Sequence, residues 1–522
     1  MRTGRKGPVA TQIRSTEAIG GSYPADIVPA LAGLLDDLAE AGVRYCSWKS
    51  NEHLAEGLAG RTDLDLLVDR ADATAFDEVM QRHDLKRLTP APRATYPGMA
   101  HWVGIDRPTA RLFHLHLHYQ LVLGEQDVKN HRLPLERAFL DSVRPSDGVP
   151  VPSPELELAV LCVRALLKYR ARDVIKDVLK IRTPGIKPEI ATELDWLLAR
   201  TKPADVIAAL RPHRDVIPVD VVDGFLITYA SDPRDGRTLL RLRGQVRRAL
   251  GSIQRQSRLR ASVAYVRGLW LRRRRVKRPY EGRMTPATGG VTIALIGADG
   301  AGKSTVTKDL TKWLAWKLSV RTFYLGSKSP SRSSRWWYMT FRSLRKTSRA
   351  LGERSFLGRI VASWRDEALA EHFIQIGRDR TRRYREGLRD AQAGRVVVFD
   401  RFPLARLSDD PGLRVLDGPR IRRAVPDTTD RTALRLAEEE ERMYTDFRLP
   451  DRIVVLQVSP AVAESRKPDH VPEVLAAKTA ATVRLADLAG SELGPGGLIR
   501  IDADRPLDEV LLEVRRRVWD VL

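Results

Sequence analysis

The sequence predicts an α/β fold for the C-terminal half of this 522-residue chain, with a parallel sheet flanked by helices. For the N-terminal half it predicts an α+β domain with a helical subdomain. The first observation is an apolar run from Val291 that ends in a glycine-rich loop and continues into a helical pattern. The second is that strand-like and helix-like segments then alternate along the chain, which is typical of a parallel sheet. The third is a pair of strand-like segments between residues 45 and 119 that carry polar residues at every second position.

Composition indicates a soluble protein of several domains. Hydrophobic residues make up 43% of the chain, which is enough for globular domains. A chain of 522 residues is too long to form a single core. The two cysteines, Cys46 and Cys162, offer neither a disulfide framework nor a metal-binding spacing, which fits a reducing, cytoplasmic compartment. No segment has the apolar length of a membrane span, and the basic start lacks the apolar core of a secretory signal. The predicted divisions are a disordered basic tail (1–22), an α+β domain (23–150), a helical subdomain (151–235), a basic amphipathic linker (236–290) and the α/β domain (291–522).

The glycine-rich loop carries the strongest chemical signal. It has the form G-x-x-x-x-G-K-S and comprises Gly297, Ala298, Asp299, Gly300, Ala301, Gly302, Lys303, Ser304 and Thr305. Glycines allow successive backbone N–H groups to surround a phosphate, and the following helix adds its positive N-terminal end. Lys303 is expected to reach the β- and γ-phosphates, and the Ser304 hydroxyl to hold Mg²⁺. The loop therefore predicts a site for ATP and Mg²⁺.

Further strands follow the loop. Thr322 to Gly326 is strand-like, and a basic, aromatic stretch with Trp336, Trp337 and Tyr338 separates it from a helical segment over about 357–393. The apolar run after Arg395 ends in Asp400, whose carboxylate can orient Mg²⁺ or its waters. Another strand covers 452–458. Ligands of such parallel sheets bind at the carboxyl ends of the strands, so the loop and Asp400 are expected to lie together.

These motifs resemble the thymidylate kinase-like branch of the P-loop kinases over about residues 291–522. The resemblance implies that Asp299, inside the loop, faces the sugar of the acceptor nucleotide. It implies that Arg401, in Asp400-Arg401-Phe402, contacts the acceptor phosphate, and that Arg380, with Arg378 as the alternative, is a second arginine on that phosphate. Arg466 resembles the cationic residue of a lid segment that covers the transferring phosphoryl group. Phosphoryl transfer requires mainly alignment and charge neutralisation, which these side chains would supply.

The resemblance is weaker for the identity of the substrate. After Phe402 the chain continues with Pro403 in place of the serine of true thymidylate kinases, so it resembles a divergent subgroup. The predicted function is ATP- and Mg²⁺-dependent transfer of the γ-phosphate to a nucleoside monophosphate, with dTMP the first candidate, or to another phosphorylated metabolite. The alternative is a nucleotide-gated regulatory or binding protein with a basic contact surface for membrane or nucleic acid.

The N-terminal half has its own candidate site. Ser50 lies in a turn-like segment, and Asp63 and Asp65 follow about a dozen residues later on a predicted strand. Residues i and i+2 of a strand face the same side, so the two carboxylates can share one Mg²⁺. The pattern resembles the nucleotidyltransferase superfamily, which implies that Ser50 contacts a triphosphate. Lys49 stands where that family usually has glycine.

A third carboxylate is expected on a later strand of this domain, but the best candidate strand carries His114, His116 and His118 instead. Three interpretations follow. The histidines belong to a degenerate nucleotidyltransferase site, they bind a transition metal, or they form a structural face of the sheet. The Asp63 and Asp65 pair likewise has a structural interpretation as a solvated strand face.

The net charge of +23 is concentrated in one segment. Residues 237–278 contain fifteen arginines and lysines and no acidic residue, and apolar side chains recur there at helical spacing. Basic amphipathic helices of this kind suit an anionic membrane surface or nucleic acid, and the remaining interpretation is a connector docked on its neighbours. The expected location is cytoplasmic, with peripheral membrane contact left open, as is a homodimer.

Overall fold

The computed structural model describes residues 23–124, 128–169, 186–275, 283–326, 331–352, 355–404, 407 and 418–522. The tail predicted over residues 1–22 lies outside this range. The chain divides into two compact units, Met1–Arg87 with Pro92–Arg273, and Leu88–Ala91 with Arg274–Leu522. We refer to them as the N-terminal and the C-terminal unit.

The N-terminal unit combines a mixed sheet with a layer of helices. Its strands are β1 (Tyr45–Ser47), β2 (Asp63–Val68), β3 (Lys86–Thr89, whose end belongs to the other unit), β4 (Met99–Asp106), β5 (Arg111–His118), β6 (Leu121–Leu123), β7 (His131–Leu133), β8 (Arg144–Ser146) and β9 (Val149–Val151). Its helices are α1 (Pro29–Glu40), α2 (Leu54–Leu58), α3 (Ala73–Arg82), α4 (Glu136–Asp141), α5 (Pro154–Lys168), α6 (Pro188–Leu198), α7 (Pro203–Leu210), α8 (Val219–Ser231), α9 (Gly236–Ala249) and α10 (Arg258–Arg275).

The sheet of this unit runs in the order β1-β2-β5-β4-β3. Strand β2 is parallel to β5 and antiparallel to β1, and β4 is antiparallel to β5. One side of the sheet packs on α1, which buries Leu31, Leu34, Leu35 and Leu38 at the i, i+3, i+4, i+7 spacing of a helix face. The α+β architecture predicted for residues 23–150 is therefore present.

The helical subdomain extends further than residue 235. Helix α9 buries Leu239, Leu242 and Val246 in the same core as α5, α6, α7 and α8. The start of the predicted linker (236–290) is thus docked on its neighbours, because its apolar stripe finds a complementary apolar surface there. The second helix of that segment, α10, is different: Leu259 is 77% exposed, and Val263 and Val266 are also exposed.

The C-terminal unit is built on a parallel sheet. Its strands are β10 (Thr285–Pro286), β11 (Val291–Gly297), β12 (Val320–Tyr324), β13 (Val396–Asp400), β14 (Arg452–Gln457) and β15 (Leu498–Asp502). Its helices are α11 (Lys303–Leu314), α12 (Arg332–Leu351), α13 (Phe356–Gln392), α14 (Ile421–Ala424), α15 (Arg431–Thr445), α16 (Pro460–Arg466), α17 (Pro472–Leu493) and α18 (Leu507–Trp519).

Five of these strands form the sheet, in the order β12-β13-β11-β14-β15, and all neighbouring pairs are parallel. The predicted α/β fold is confirmed. Strand β11, which leads into the glycine-rich loop, lies between β13 and β14. The strands that follow it in the chain are therefore added on both of its sides, toward opposite edges of the sheet. Such a point leaves a crevice at the carboxyl ends of the strands, where ligands of open parallel sheets bind.

Long helices flank the sheet. The helix predicted over about 357–393 is α13, and the basic, aromatic stretch before it forms α12, which the sequence left unassigned. Among the helices of the described residues, none combines the length and the apolar character needed to cross a membrane.

Candidate functional site

The glycine-rich loop joins the central strand β11 to helix α11. Gly300 and Gly302 have φ values of 89° and 83°, a left-handed conformation that side chains with a Cβ rarely adopt. Gly302 is also the N-cap residue of α11, and no side chain caps that helix start. The positive N-terminal end of the helix therefore adjoins the loop, where it can stabilise an anion.

Lys303 begins α11 and points back over the loop. Its Nζ donates 2.7 Å hydrogen bonds to the backbone oxygens of Gly297 and Ala298, and its side chain is buried. Ala298 and Ala301 are also buried, while Ser304 and Thr305 are exposed in the first turn. The loop therefore presents an ammonium group and a hydroxyl beside the uncapped helix start, which are groups that bind phosphate and a hard cation.

Asp400 ends strand β13, directly beside the loop strand. It pairs in register with Leu295 of β11 and Tyr324 of β12, and its carboxylate is buried. The next residue, Arg401, has a φ of 62°, and its backbone N–H donates to Leu295 O. A left-handed backbone at a residue other than glycine costs on the order of 1–3 kcal/mol and is typical of functional sites.

Asp299 connects the loop to two cationic side chains. Its Oδ2 accepts a 2.6 Å hydrogen bond from Lys478 Nζ, and its Oδ1 lies 3.4 Å from the Arg401 guanidinium. Burial alone raises the pKa of Asp299, but Lys478, Lys303 and Arg401 outweigh it and lower the pKa to about 2. Asp299 is therefore an ionised carboxylate among three cations. Sequence reasoning missed Lys478, because it follows the loop by 179 residues and belongs to no motif.

Arg466 also reaches the loop. It ends α16, and its guanidinium donates to Gly300 O at 3.4 Å and to Ala503 O at 2.9 Å. The structure thus brings this predicted lid residue next to the predicted phosphate loop.

Arg380 has a different environment. It lies on α13, is 1% exposed, donates a hydrogen bond to Tyr444 Oη and lies 5.8 Å from the Tyr444 ring centroid. Contact with an acceptor phosphate would require this side chain to leave the helical layer, so its role on the acceptor stays a prediction.

The N-terminal unit has a second polar cluster on one sheet face. Strand register places Asp63 beside His114 and Asp65 beside His116, with His101 of β4 opposite His116. Alternation along the strands puts His118 on the same face. The distances are 3.0 Å from Asp63 Oδ1 to His114 Nδ1, 2.7 Å from Asp65 Oδ1 to His116 Nδ1, and 3.4 Å from Asp65 Oδ1 to His118 Nε2. Lys49 Nζ also lies 2.5 Å from Asp65 Oδ1.

The charges of this cluster follow from burial. Burial raises the pKa of Asp65, but the Lys49 charge and the adjacent imidazoles of His116 and His118 outweigh it and hold the pKa well below its usual range. Burial lowers the pKa of both His116 and His118 to about 3, although Asp65 opposes the shift. At neutral pH Asp65 is therefore ionised, and His116 and His118 are neutral.

Ser50 lines a cavity beside this cluster. A cavity of about 360 Å³ is lined by Ser50, Lys49, Asp63 and Asp65, among others. Ser50 has a φ of 57°, and its backbone N–H donates to Glu193 Oε1 of α6 at 3.2 Å. The structure thus brings together the three N-terminal residues predicted from the sequence.

The helical subdomain holds the Ser50 turn in place. Asn51 Nδ2 donates to Glu157 Oε2 of α5 at 2.9 Å, and Glu193 pairs with Arg164. Burial raises the pKa of Glu157 to about 8. No sequence pattern indicated Glu157 or Glu193, because an acid within an apolar helix stripe reads as a surface residue until the packing is known.

The C-terminal unit has a P-loop α/β fold of the nucleotide-binding class, as its parallel sheet, glycine-rich loop and loop lysine define it. The chain belongs to the family of the Escherichia coli (strain K12) uncharacterized ATP-binding protein YghR, with which it is 30% identical over 236 residues, 43% of this chain and 86% of YghR. The uncharacterized ATP-binding protein YghS of the same strain is 28% identical over 239 residues, 44% of this chain and 93% of YghS.

Two other comparisons add little. No family model matches the chain. A solved structure of deoxyadenosine kinase from M. mycoides with bound dATP aligns with 44% of this chain and 98% of its own, at 15% identity and a TM-score of 0.26. That TM-score is too low to support a conclusion about fold or function.

Proposed function

We propose that the C-terminal unit is an ATP- and Mg²⁺-dependent phosphotransferase whose acceptor carries a phosphate. The observation that carries this proposal is the grouping of Lys303, Arg401 and Lys478 around Asp299 at the carboxyl ends of the strands. Phosphoryl transfer requires that two anionic reactants approach each other, and closely spaced cations remove that repulsion.

The donor side fits ATP. The uncapped start of α11 and the Lys303 ammonium suit the phosphates, and two members of the family are named ATP-binding proteins. Ser304 and Asp400 offer a hydroxyl and a carboxylate, the hard oxygen ligands that Mg²⁺ prefers, and would hold the ion. When bound, Mg²⁺ neutralises charge on the β- and γ-phosphates.

The acceptor side is formed by Arg401, Lys478 and Asp299. A guanidinium can grip a phosphate dianion with two parallel hydrogen bonds and align its oxygen with the γ-phosphate. The ionised Asp299 can accept a hydrogen bond from a hydroxyl of the acceptor. The resemblance to thymidylate kinases implies that this hydroxyl is the 3′-hydroxyl of a nucleotide. We therefore take dTMP as the first candidate and another phosphorylated metabolite as the second.

The test is γ-phosphate transfer from ATP to dTMP compared with thymidine, by the wild-type chain and by Arg401→Ala. Arg401→Ala should cost several kcal/mol in acceptor turnover, because it removes the cation that would pair with the acceptor phosphate. Its affinity for ATP should stay nearly unchanged. Arg422→Ala is the matched control, since Arg422 forms a surface ion pair with Glu441 in the same unit.

Preference for the unphosphorylated acceptor would overturn the role of Arg401. Tight ATP binding with no transfer to a panel of mononucleotides and phosphorylated sugars would instead favour the nucleotide-gated binding protein.

For the N-terminal unit, we propose a nucleotidyltransferase-like pocket in which Ser50 contacts a nucleoside triphosphate. The support is the cavity that Ser50, Asp63 and Asp65 line together. The left-handed backbone at Ser50 fits this role, since strain of that kind is concentrated at ligand sites.

A further inference from the structure

Three donor atoms in the N-terminal unit converge on a small volume. The atoms come from Asp65, His116 and His118, and all lie within 4.8 Å of one another. Asp65 and His116 lie at matching positions of two parallel strands, and His118 is two residues further along. Rigid sheet strands thus hold all three donors, which is how precise ligand sites are built.

Several ring nitrogens of His116 and His118 make no hydrogen bond within the described residues. Both ring nitrogens of His118, including Nε2 on the side of Asp65, and His116 Nε2 are buried and have no hydrogen-bond partner among the described residues. His118 Nε2 lies 3.4 Å from Asp65 Oδ1, too far for a strong hydrogen bond. Burying polar nitrogens without partners costs free energy, so sites that keep them usually have a use for them.

From this arrangement we propose that Asp65, His116 and His118 form a binding site for a divalent transition-metal ion of the zinc type. Two imidazole nitrogens and one carboxylate oxygen are the ligands of many catalytic zinc sites and of related iron sites, which keep further positions open. Mg²⁺ prefers oxygen ligands throughout. Asp65 would therefore belong to a nitrogen-rich site in place of the Asp63–Asp65 magnesium pair that the sequence predicts.

Neighbouring side chains support the ligands. The His101 ring stacks on His116 with centroids 4.5 Å apart, and His101 Nδ1 lies 3.3 Å from His114 Nε2. His114 in turn contacts Asp63. Stacking against His101 therefore restricts the orientation of the His116 ring.

Lys49 is the competing cation. Its ammonium lies 2.5 Å from Asp65 Oδ1, so a metal ion on Asp65 must displace it. Lys49 also lines the cavity of about 360 Å³, which gives its side chain room to move away. Removing the ammonium should therefore raise metal affinity, which a merely structural Lys49–Asp65 ion pair does not predict.

The experiment is titration of the full chain, without nucleotide, with Co²⁺ followed by its visible spectrum and with Zn²⁺ followed by calorimetry. We expect one tight site per chain for each ion and no comparable site for Mg²⁺. Asp65→Asn and His118→Gln should each weaken Co²⁺ binding by about tenfold or more. Lys49→Met should tighten it. His470→Ala, which removes an exposed histidine of the C-terminal unit, should change nothing.

Two results would overturn the site. One is Co²⁺ binding that persists unchanged in Asp65→Asn and His118→Gln, which would assign it to other histidines. The other is Lys49→Met with unchanged or weaker affinity. Because Lys49 is partly exposed, this variant keeps the proposal testable even if His118→Gln does not fold, and circular dichroism of each variant separates the two cases.

Discussion

At the scale of single residues, two predicted phosphate ligands share an unusual backbone. Arg401 and Ser50 have φ values of 62° and 57°, although neither is glycine. Each lies where a strand or turn meets a cavity or crevice, and each is fixed by a backbone hydrogen bond, to Leu295 and Glu193 respectively. The fold therefore maintains strain of on the order of 1–3 kcal/mol at each site, which fits residues selected for ligand contact.

Lys303→Ala should abolish Mg²⁺-dependent ATP binding and turnover, because it removes the ammonium that lies over the loop. Calorimetric titration with ATP and Mg²⁺ measures the effect. Lys308→Ala, an exposed lysine of the same helix, is the matched control. A folded Lys303→Ala protein with wild-type turnover would refute the P-loop function.

Glu157 should make stability depend on pH. Its pKa is about 8 in the folded protein, against an ordinary value of 4.5, because it is buried. The folded protein then holds an extra proton between these values, so this group's contribution to the free energy of unfolding decreases as pH rises from about 5 to 8. Glu157→Gln cannot ionise, so its stability relative to wild type should increase over that window, by on the order of a few kcal/mol.

Urea unfolding of wild type and Glu157→Gln at pH 5 and pH 8 measures this difference directly. Glu189→Gln, at an exposed position on α6, serves as control and should follow the wild-type profile. Parallel profiles for wild type and Glu157→Gln would show that Glu157 ionises normally in the folded protein.

At the scale of elements, the two basic amphipathic helices α9 and α10 contrast with each other. Both sequences are rich in arginine and have apolar residues at helical intervals, yet α9 buries its apolar residues and α10 exposes Leu259, Val263 and Val266. Of these two helices, α10 is therefore the one with an apolar face available to a partner, and its sequence is strongly basic.

We expect α10 to contact anionic lipid. Flotation with vesicles containing phosphatidylserine should retain the chain at low salt and release it as salt rises, since the screening length decreases from about 30 Å at 0.01 M to about 8 Å at 0.15 M. Arg260→Glu with Arg267→Glu should weaken retention, because each basic residue near the surface contributes about 1 kcal/mol. Arg214→Glu, an exposed arginine outside α10, is the control. No retained protein at low salt would contradict the lipid contact.

At the scale of the whole molecule, the two candidate sites lie in separate compact units. The Lys303 site lies wholly in the C-terminal unit, and the cavity around Ser50 and Asp65 lies wholly in the N-terminal unit. Each site can therefore be removed without touching the residues that form the other.

The double change Asp63→Asn and Asp65→Asn should leave phosphoryl transfer by the C-terminal unit unchanged. In the Lys303→Ala background, it should abolish the remaining metal-dependent binding of nucleoside triphosphate. Equilibrium binding of a labelled nucleotide to the full chain measures both. If the Lys303→Ala protein binds no nucleotide at all, the N-terminal pocket is degenerate or structural.

The sequence by itself determined the local features of this protein. The strand before the loop, the P-loop, the strand that ends in Asp400 and the helix over about 357–393 are visible as periodicity and glycine placement, and the structure contains each of them. They are readable because side-chain spacing and backbone sterics act between residues close in the chain.

Tertiary structure alone decided which distant groups meet. Lys478 reaches Asp299 across 179 residues, and Glu193 reaches the Ser50 turn across 143. Packing also decided that α9 is buried while α10 is exposed, a difference that their shared pattern does not contain. The physical reason is that burial and charge pairing depend on which surfaces come together, and these act across space without regard to sequence separation.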